Sequence, residues 1–118
     1  MLERDLTDTN GIISQLLEGT GWLWERAPDS GKQTNSVGFD GKLIYPPVVQ
    51  VTVEVKLANR YLTATQDAKL AWCKKHGLPY FVLRYWTNER WMIADYNSSK
   101  ATTGTLLYCV RWIRYKYL

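Results

Sequence analysis

An α/β fold, a mixed central sheet flanked by helices, is what this 118-residue sequence predicts, and three stretches predict it. Val49, Val51, Val53, Val55 and Leu57 alternate strictly with Gln50, Thr52, Glu54 and Lys56, the period-of-two signature of a strand with one apolar and one polar face. Thr63 to His76 reads as a helix, and Tyr80 to Trp86 is an almost unbroken apolar run suited to a strand buried on both faces. A strand–helix–strand unit of this length favours parallel pairing of the 49–57 and 80–86 strands.

The remaining elements follow from local signals. Residues 3–18 carry Leu6, Ile13, Leu16 and Leu17 at helical spacing, but Asn10-Gly11 weakens the middle. The segment is therefore one imperfect helix or a short turn followed by a second helix, ended by Gly19 and Gly21. Trp22-Leu23-Trp24 suits a short strand, and Pro28 to Gly41 a polar loop. Pro46-Pro47 marks a turn or an edge. Thr63 with Gln66 fits a capping box, Ala68, Ala71 and Trp72 share a helix face, and Gly77 with Pro79 ends that helix. Arg90–Tyr96 and Thr105–Tyr115 both read as β-type, separated by a polar turn over Asn97–Gly104. One domain over 1–118 is expected, with its core at about 3–86 and aromatic-rich strands over 90–118.

Composition narrows the function classes. No apolar run approaches the roughly 20 residues that span a bilayer, and Met1-Leu2-Glu3-Arg4-Asp5 lacks the order of a secretory signal, so an intracellular, cytoplasmic protein with no membrane partner is expected. Cys73 and Cys109 have no zinc-ligand spacing, His76 is the sole histidine, and buried free thiols are the expectation, with a disulfide the alternative. Charge is divided unevenly. Residues 1–53 carry four basic and seven acidic side chains, a balance of −3, whereas residues 54–118 carry eleven and four, a balance of +7. The second half would attract a polyanion, or simply be a solvated surface.

Glu54 and Lys56 project from the same face of their strand. The carboxylate can bind a divalent cation through oxygen, and the lysine can orient water or stabilise developing phosphate charge. Glu-x-Lys alone is common and is equally well a solvated surface pair. Asp40 supplies the context. A strand, a turn through Pro46-Pro47 and a returning strand would bring it back beside Glu54. Two carboxylates and a lysine meeting at one point make a magnesium site suited to phosphodiester hydrolysis. The alternative for Asp40 is an ordinary turn aspartate beside Gly41.

Glu3-Arg4-Asp5-Leu6, Gly21-Trp22, Asp29-Ser30, Gly38-Phe39-Asp40, Val53-Glu54-Val55-Lys56, Leu62-Thr63 with Gln66, and Gly77 before an apolar strand occur in the order seen in VRR-NUC domains. The chain thus resembles these nucleases of the PD-(D/E)XK superfamily over roughly residues 3–86, and is similar to archaeal-type Holliday junction resolvases. The resemblance implies a restriction-endonuclease-like core. It implies Asp40, Glu54 and the Val55 carbonyl as metal ligands, Lys56 as catalytic lysine, and Gln66 near the site. Glu3 would reach the metal through water. The implied cofactor is Mg²⁺, with Mn²⁺ able to substitute. Phe39 stands where the family usually has proline, and the 41–53 segment is somewhat long.

Arg26, Ser30 and Lys32 lie in a loop that would flank such a site and grip phosphates, or form an ordinary polar loop. Six Trp and eight Tyr are a heavy aromatic load. Trp72 and Trp86 fall in expected core elements. Trp91, Trp112, Tyr115 and Tyr117 mingle with Arg90, Arg111, Arg114 and Lys116, which suits either base stacking or a homodimer interface; the dimer is favoured because similar resolvases are two-fold. The leading expectation is a metal-dependent, structure-selective DNA endonuclease acting on branched DNA such as Holliday junctions. Its rivals are a non-catalytic nucleic-acid-binding or assembly subunit, and a nuclease for flaps, single strands or RNA.

Overall fold

The strand over Val49–Leu57 runs through the middle of a six-stranded sheet whose order is the order of the chain. A computed structural model describes residues 1–27, 40–47 and 49–116. In them β1 (Leu23–Arg26), β2 (Gly41–Tyr45) and β3 (Val49–Leu57) pair antiparallel, with a turn at Pro46-Pro47 between the last two. Helix α3 (Ala64–Lys75) then crosses over, so β4 (Phe81–Thr87) lies parallel to β3, in the register Val53 to Phe81 through Leu57 to Tyr85. Strands β5 (Arg90–Asp95) and β6 (Lys100–Gly104) complete the sheet antiparallel. The sheet is mixed, and with its flanking helices it is the expected α/β fold.

Each face of the sheet has its own core. The valines of β3 point to the face where Leu43, Phe81, Leu83, Trp91 and Ile93 meet α1 (Glu3–Thr7), α2 (Ile12–Leu17) and α4 (Leu106–Lys116). The opposite face holds a smaller cluster in which Leu70 and Cys73 of α3 cover Tyr80 and Val82. Glu54 stands beside Val82, and Lys56 beside Arg84, so both project on the α3 side. Helix α3 starts as its sequence requires: the Thr63 hydroxyl accepts from the Gln66 backbone N–H, while the Gln66 side chain accepts from the Thr63 N–H. Cys73 and Cys109 are buried free thiols.

Asn10-Gly11 does break the first helical segment, giving two short helices. Gly41 opens β2 because nothing larger fits there: a Cβ would lie 2.5 Å from the Glu25 carbonyl oxygen and 2.6 Å from the Trp24 ring. A residue that resembles a loop signal thus belongs to a strand packed tightly on its neighbour.

Four expectations require correction. Residues 100–104 form β6 within the expected turn, and 106–116 form a helix where a strand was expected. Leu106, Cys109, Val110 and Ile113 are the buried positions, at helical spacing, and Thr105 accepts from the Tyr108 N–H as a cap. Trp72, placed in the core by its spacing with Ala68 and Ala71, is 46% exposed; that face points to solvent and Leu70 and Cys73 point inward. The 80–86 run is fully buried only from Tyr80 to Leu83.

Helix α4 is fastened by its last turn. Lys116 Nζ lies 2.7 Å from the buried Asp95 carboxylate and donates to Ser98, and Asp95 also accepts from Ser98 and the Asn97 N–H. Burial alone would raise the Asp95 carboxyl; these three donors, Lys116 first, hold it below its ordinary range. A depressed carboxylate stabilises the fold above its unfolded pKa and loses that contribution as pH falls through the folded value. Lys116→Met is expected to cost roughly 2 kcal/mol, discounted for the partial exposure of the lysine, in urea unfolding at pH 7, and less at pH 3. Equal costs at both pH values would show that the ion pair contributes nothing.

Candidate active site

Strand β3 outruns β2. Pairing between them ends at Gly41 with Val53, whereas the β4 side stays paired through Leu57. The β2-facing backbone of Val55 and Leu57 is therefore left without a strand partner, and two carboxylates take its place. Asp40, the residue before β2, accepts from the Val55 N–H through Oδ2 at 2.7 Å. Glu3 of α1 accepts from the Leu57 N–H through Oε2 at 3.3 Å. Asp40 is anchored through its own carbonyl, which accepts from the Ala27 N–H at 2.9 Å.

Glu54 and Lys56 are buried, 4% and 5% exposed, which excludes a solvated surface pair. The Glu54 carboxylate accepts from Gln66 Nε2 at 2.6 Å and from the Tyr80 hydroxyl at 3.2 Å, and it lies close enough to Asp40 to feel its charge. Burial, and then the negative charge of Asp40, push the Glu54 carboxyl up to about 7; Lys69 and the Gln66 donor oppose them. Lys56 Nζ lies 3.6 Å from Glu3 Oε2.

Asp40, Glu54, Val55, Lys56, Gln66 and Glu3 are thus brought to one end of the sheet, where β3 extends past β2, with Glu3 on the lysine side. Gln66 both closes the capping box and reaches Glu54. Arg26 ends β1 and pairs with Asp8 at 3.5 Å; Ser30 and Lys32 lie outside the described residues. Three neighbours went unseen in the sequence: Tyr80 and Lys69, which act on Glu54, and Arg84, which stands beside Lys56 and donates to the Arg60 carbonyl at 2.6 Å. The strand–helix–strand unit predicts the parallel pairing of β3 with β4, but not the register that sets Arg84 beside Lys56.

Two carboxylates crowded together favour an added positive charge, a proton or a cation. Among the described residues no cluster of three Asp, Glu, His or Cys side chains is present, so Asp40 and Glu54 could hold a metal only with backbone, water or substrate oxygens. An extended residue sends its N–H and C=O to the same side of the strand, so the Val55 carbonyl faces the Asp40 edge. The donors are all oxygen, which fits a hard cation such as Mg²⁺ or Mn²⁺.

The chain shares its fold with a Holliday junction resolvase. That structure is Hjc of Archaeoglobus fulgidus, from an archaeal hyperthermophile, matched with a TM-score of 0.60 over 90% of this chain and 95% of that one, at 16% identity. No known family profile and no curated protein matches the sequence.

The aromatic residues divide. Trp91 is wholly buried, edge-on to Tyr85 at 4.9 Å, so it is core and cannot stack a base. Trp86 is half-buried under the Arg90 guanidinium at 5.4 Å, and Trp112 lies near Lys116 at 5.3 Å. Tyr115 is exposed, and Tyr117 lies outside the described residues. No helix among the described residues is long and apolar enough to cross a membrane.

Proposed function

We propose that the chain is a divalent-metal-dependent, structure-selective DNA endonuclease acting on branched DNA such as four-way junctions. The observation that carries this reading is the pairing of half-buried Asp40 with buried Glu54, with buried Lys56 beside it. The fold shared with Hjc, described as a Holliday junction resolvase, supports the substrate class. The ordered motifs of residues 3–86 support the finer kinship with VRR-NUC nucleases.

Asp40, Glu54 and the Val55 carbonyl would hold Mg²⁺, or Mn²⁺ in its place. Such a cation supplies the charge that polarises a phosphodiester oxygen and makes water more acidic. Lys56, buried and unable to swing into solvent, donates hydrogen bonds toward the attacking water and the charge developing on the phosphate. Glu3 holds that ammonium in place. Gln66 holds the Glu54 carboxylate. The cations of the second half, among them Arg84, Lys69, Lys74 and Lys75, grip the DNA backbone together with Arg26 at the end of β1 and with Ser30 and Lys32. The exposed Tyr and Arg positions of α4, Tyr108, Arg111 and Tyr115, suit the centre of a homodimer interface, which would pair two active sites for paired cuts.

Labelled four-way junction, flap, linear duplex, single-stranded DNA and RNA, each with and without Mg²⁺, test the reading. Cleavage of the junction alone, only with Mg²⁺, is the expected result. Binding without any product would make the chain a non-catalytic subunit, and cleavage of flaps, linear strands or RNA would change the substrate class. Junction affinity should fall about 10³-fold or more between 50 and 200 mM salt, given six or more phosphate contacts. A flat salt response in an electrophoretic shift assay would argue against a nucleic-acid partner.

A further inference from the structure

Tyr80 is wholly buried, and its hydroxyl donates to Glu54 Oε2 at 3.2 Å. Gln66 holds the other oxygen, Oε1, at 2.6 Å. Tyr80 directly precedes β4, which is locked to β3 by five parallel register pairs, and its ring packs with Leu70, Cys73 and Val82. Both the ring and the strand that carries it are fixed. Burial, and then the charge of Glu54, hold the phenol protonated, so it acts as a donor.

We infer that Tyr80 is a positioning residue of the cation site, its hydroxyl and the Gln66 amide together preventing rotation of the Glu54 carboxylate. A glutamate has three side-chain torsions, and a ligand that must be ordered at the moment of binding costs affinity. Restraint on both oxygens removes that cost in advance. Groups that orient a metal ligand without touching the metal commonly change its affinity 10- to 100-fold. The inference rests on the reading of Asp40 and Glu54 as cation ligands.

The test is Mn²⁺ binding to the full chain at pH 8, by calorimetry and by the Mn²⁺-dependent rise in Tm, for the wild type, Tyr80→Phe and Cys73→Ala. Tyr80→Phe removes one oxygen and keeps the ring, so the packing of the α3 face is retained. Its Mn²⁺ dissociation constant is expected to rise about 10- to 100-fold, with a smaller Mn²⁺-dependent rise in Tm and cleavage recovered at high Mn²⁺. Cys73→Ala disturbs the same cluster without touching Glu54, so it should lower Tm equally with and without Mn²⁺. A merely structural Tyr80 would behave the same way. Wild-type Mn²⁺ affinity in Tyr80→Phe overturns the role of Tyr80 and leaves the cation site standing. A wild-type protein that binds no Mn²⁺ overturns both.

Discussion

Glu54→Gln is expected to abolish cleavage, by about 10³-fold or more, while making the metal-free protein more stable above neutral pH. The first effect follows from removing one of the two carboxylates proposed to hold the cation. The second follows from the same crowding. The Glu54 carboxyl is raised from 4.5 to about 7, by burial first and by the charge of Asp40 second. Below about pH 4.5 the proton is bound in the folded and unfolded chains alike. Between about 4.5 and 7 the unfolded chain releases it while the folded chain keeps it, so stability falls as pH rises. Above 7 the loss is complete, roughly 3 kcal/mol. A neutral glutamine of the same shape does not suffer it.

Urea titrations in EDTA at pH 5 and pH 8 separate the two proteins. At pH 5 they should differ little. At pH 8 the variant should be the more stable by up to roughly 3 kcal/mol. Excess Mg²⁺ should narrow that gap by stabilising the wild type alone, and more strongly at pH 8 than at pH 6, where protons compete for the ligand. Retained cleavage, or identical stability at pH 8, would remove the carboxylate pair from the mechanism.

Why the sequence revealed β3 and not α4 is a matter of competing signals. The alternation over 49–57 has one explanation, because five apolar residues at every second position cannot face one side of a helix. In 105–115 aromatic and β-branched residues argue for a strand, and their mixture with arginine hides the helical spacing of Leu106, Cys109, Val110 and Ile113. Tertiary packing decided: α4 buries that stripe against β5, β6 and α2. Helix α3 went the other way, with its type legible from the Thr63–Gln66 cap and its inward face misjudged. Ala68, Ala71 and Trp72 resemble a core stripe only if the cost of exposing a tryptophan is assumed to be prohibitive.

The site was legible where it lay on one strand and partly so where it crossed the fold. Glu54 and Lys56 needed only the period of β3. Asp40 needed one hairpin, and Pro46-Pro47 supplied the turn. Tyr80 and Arg84 come from a strand 26 to 28 positions further on, and their place depends on a parallel register that no local pattern specifies. Glu3 is a subtler case. Its carboxylate reaches the sheet because β2 stops short and leaves the Leu57 N–H unclaimed, a fact about strand length that the first helix does not record.

Lys56→Met is the second large effect, and it separates chemistry from metal binding. The lysine stem is buried against β4, so methionine preserves most of its packing. Removing the ammonium leaves Glu3 with the Leu57 N–H and with solvent, since that carboxylate is 37% exposed, and no buried charge is orphaned. The fold should survive, and Mn²⁺ affinity should change by no more than about threefold, because Lys56 holds no ligand of the pair. Single-turnover cleavage of a pre-bound junction should fall about 10²- to 10⁴-fold, the range for a group that transfers a proton or stabilises charge in the transition state. Lys56→Arg should not rescue it, since a planar guanidinium fits neither the volume nor the direction of a buried ammonium. Glu3→Gln should slow the same step by a smaller factor, about tenfold, because the Leu57 anchor survives and only the restraint on Lys56 is lost. Lys56→Met cleaving at the wild-type rate, with bound Mn²⁺ and an intact fold, would leave the lysine as a structural partner of Glu3 and move the source of water activation elsewhere in the site.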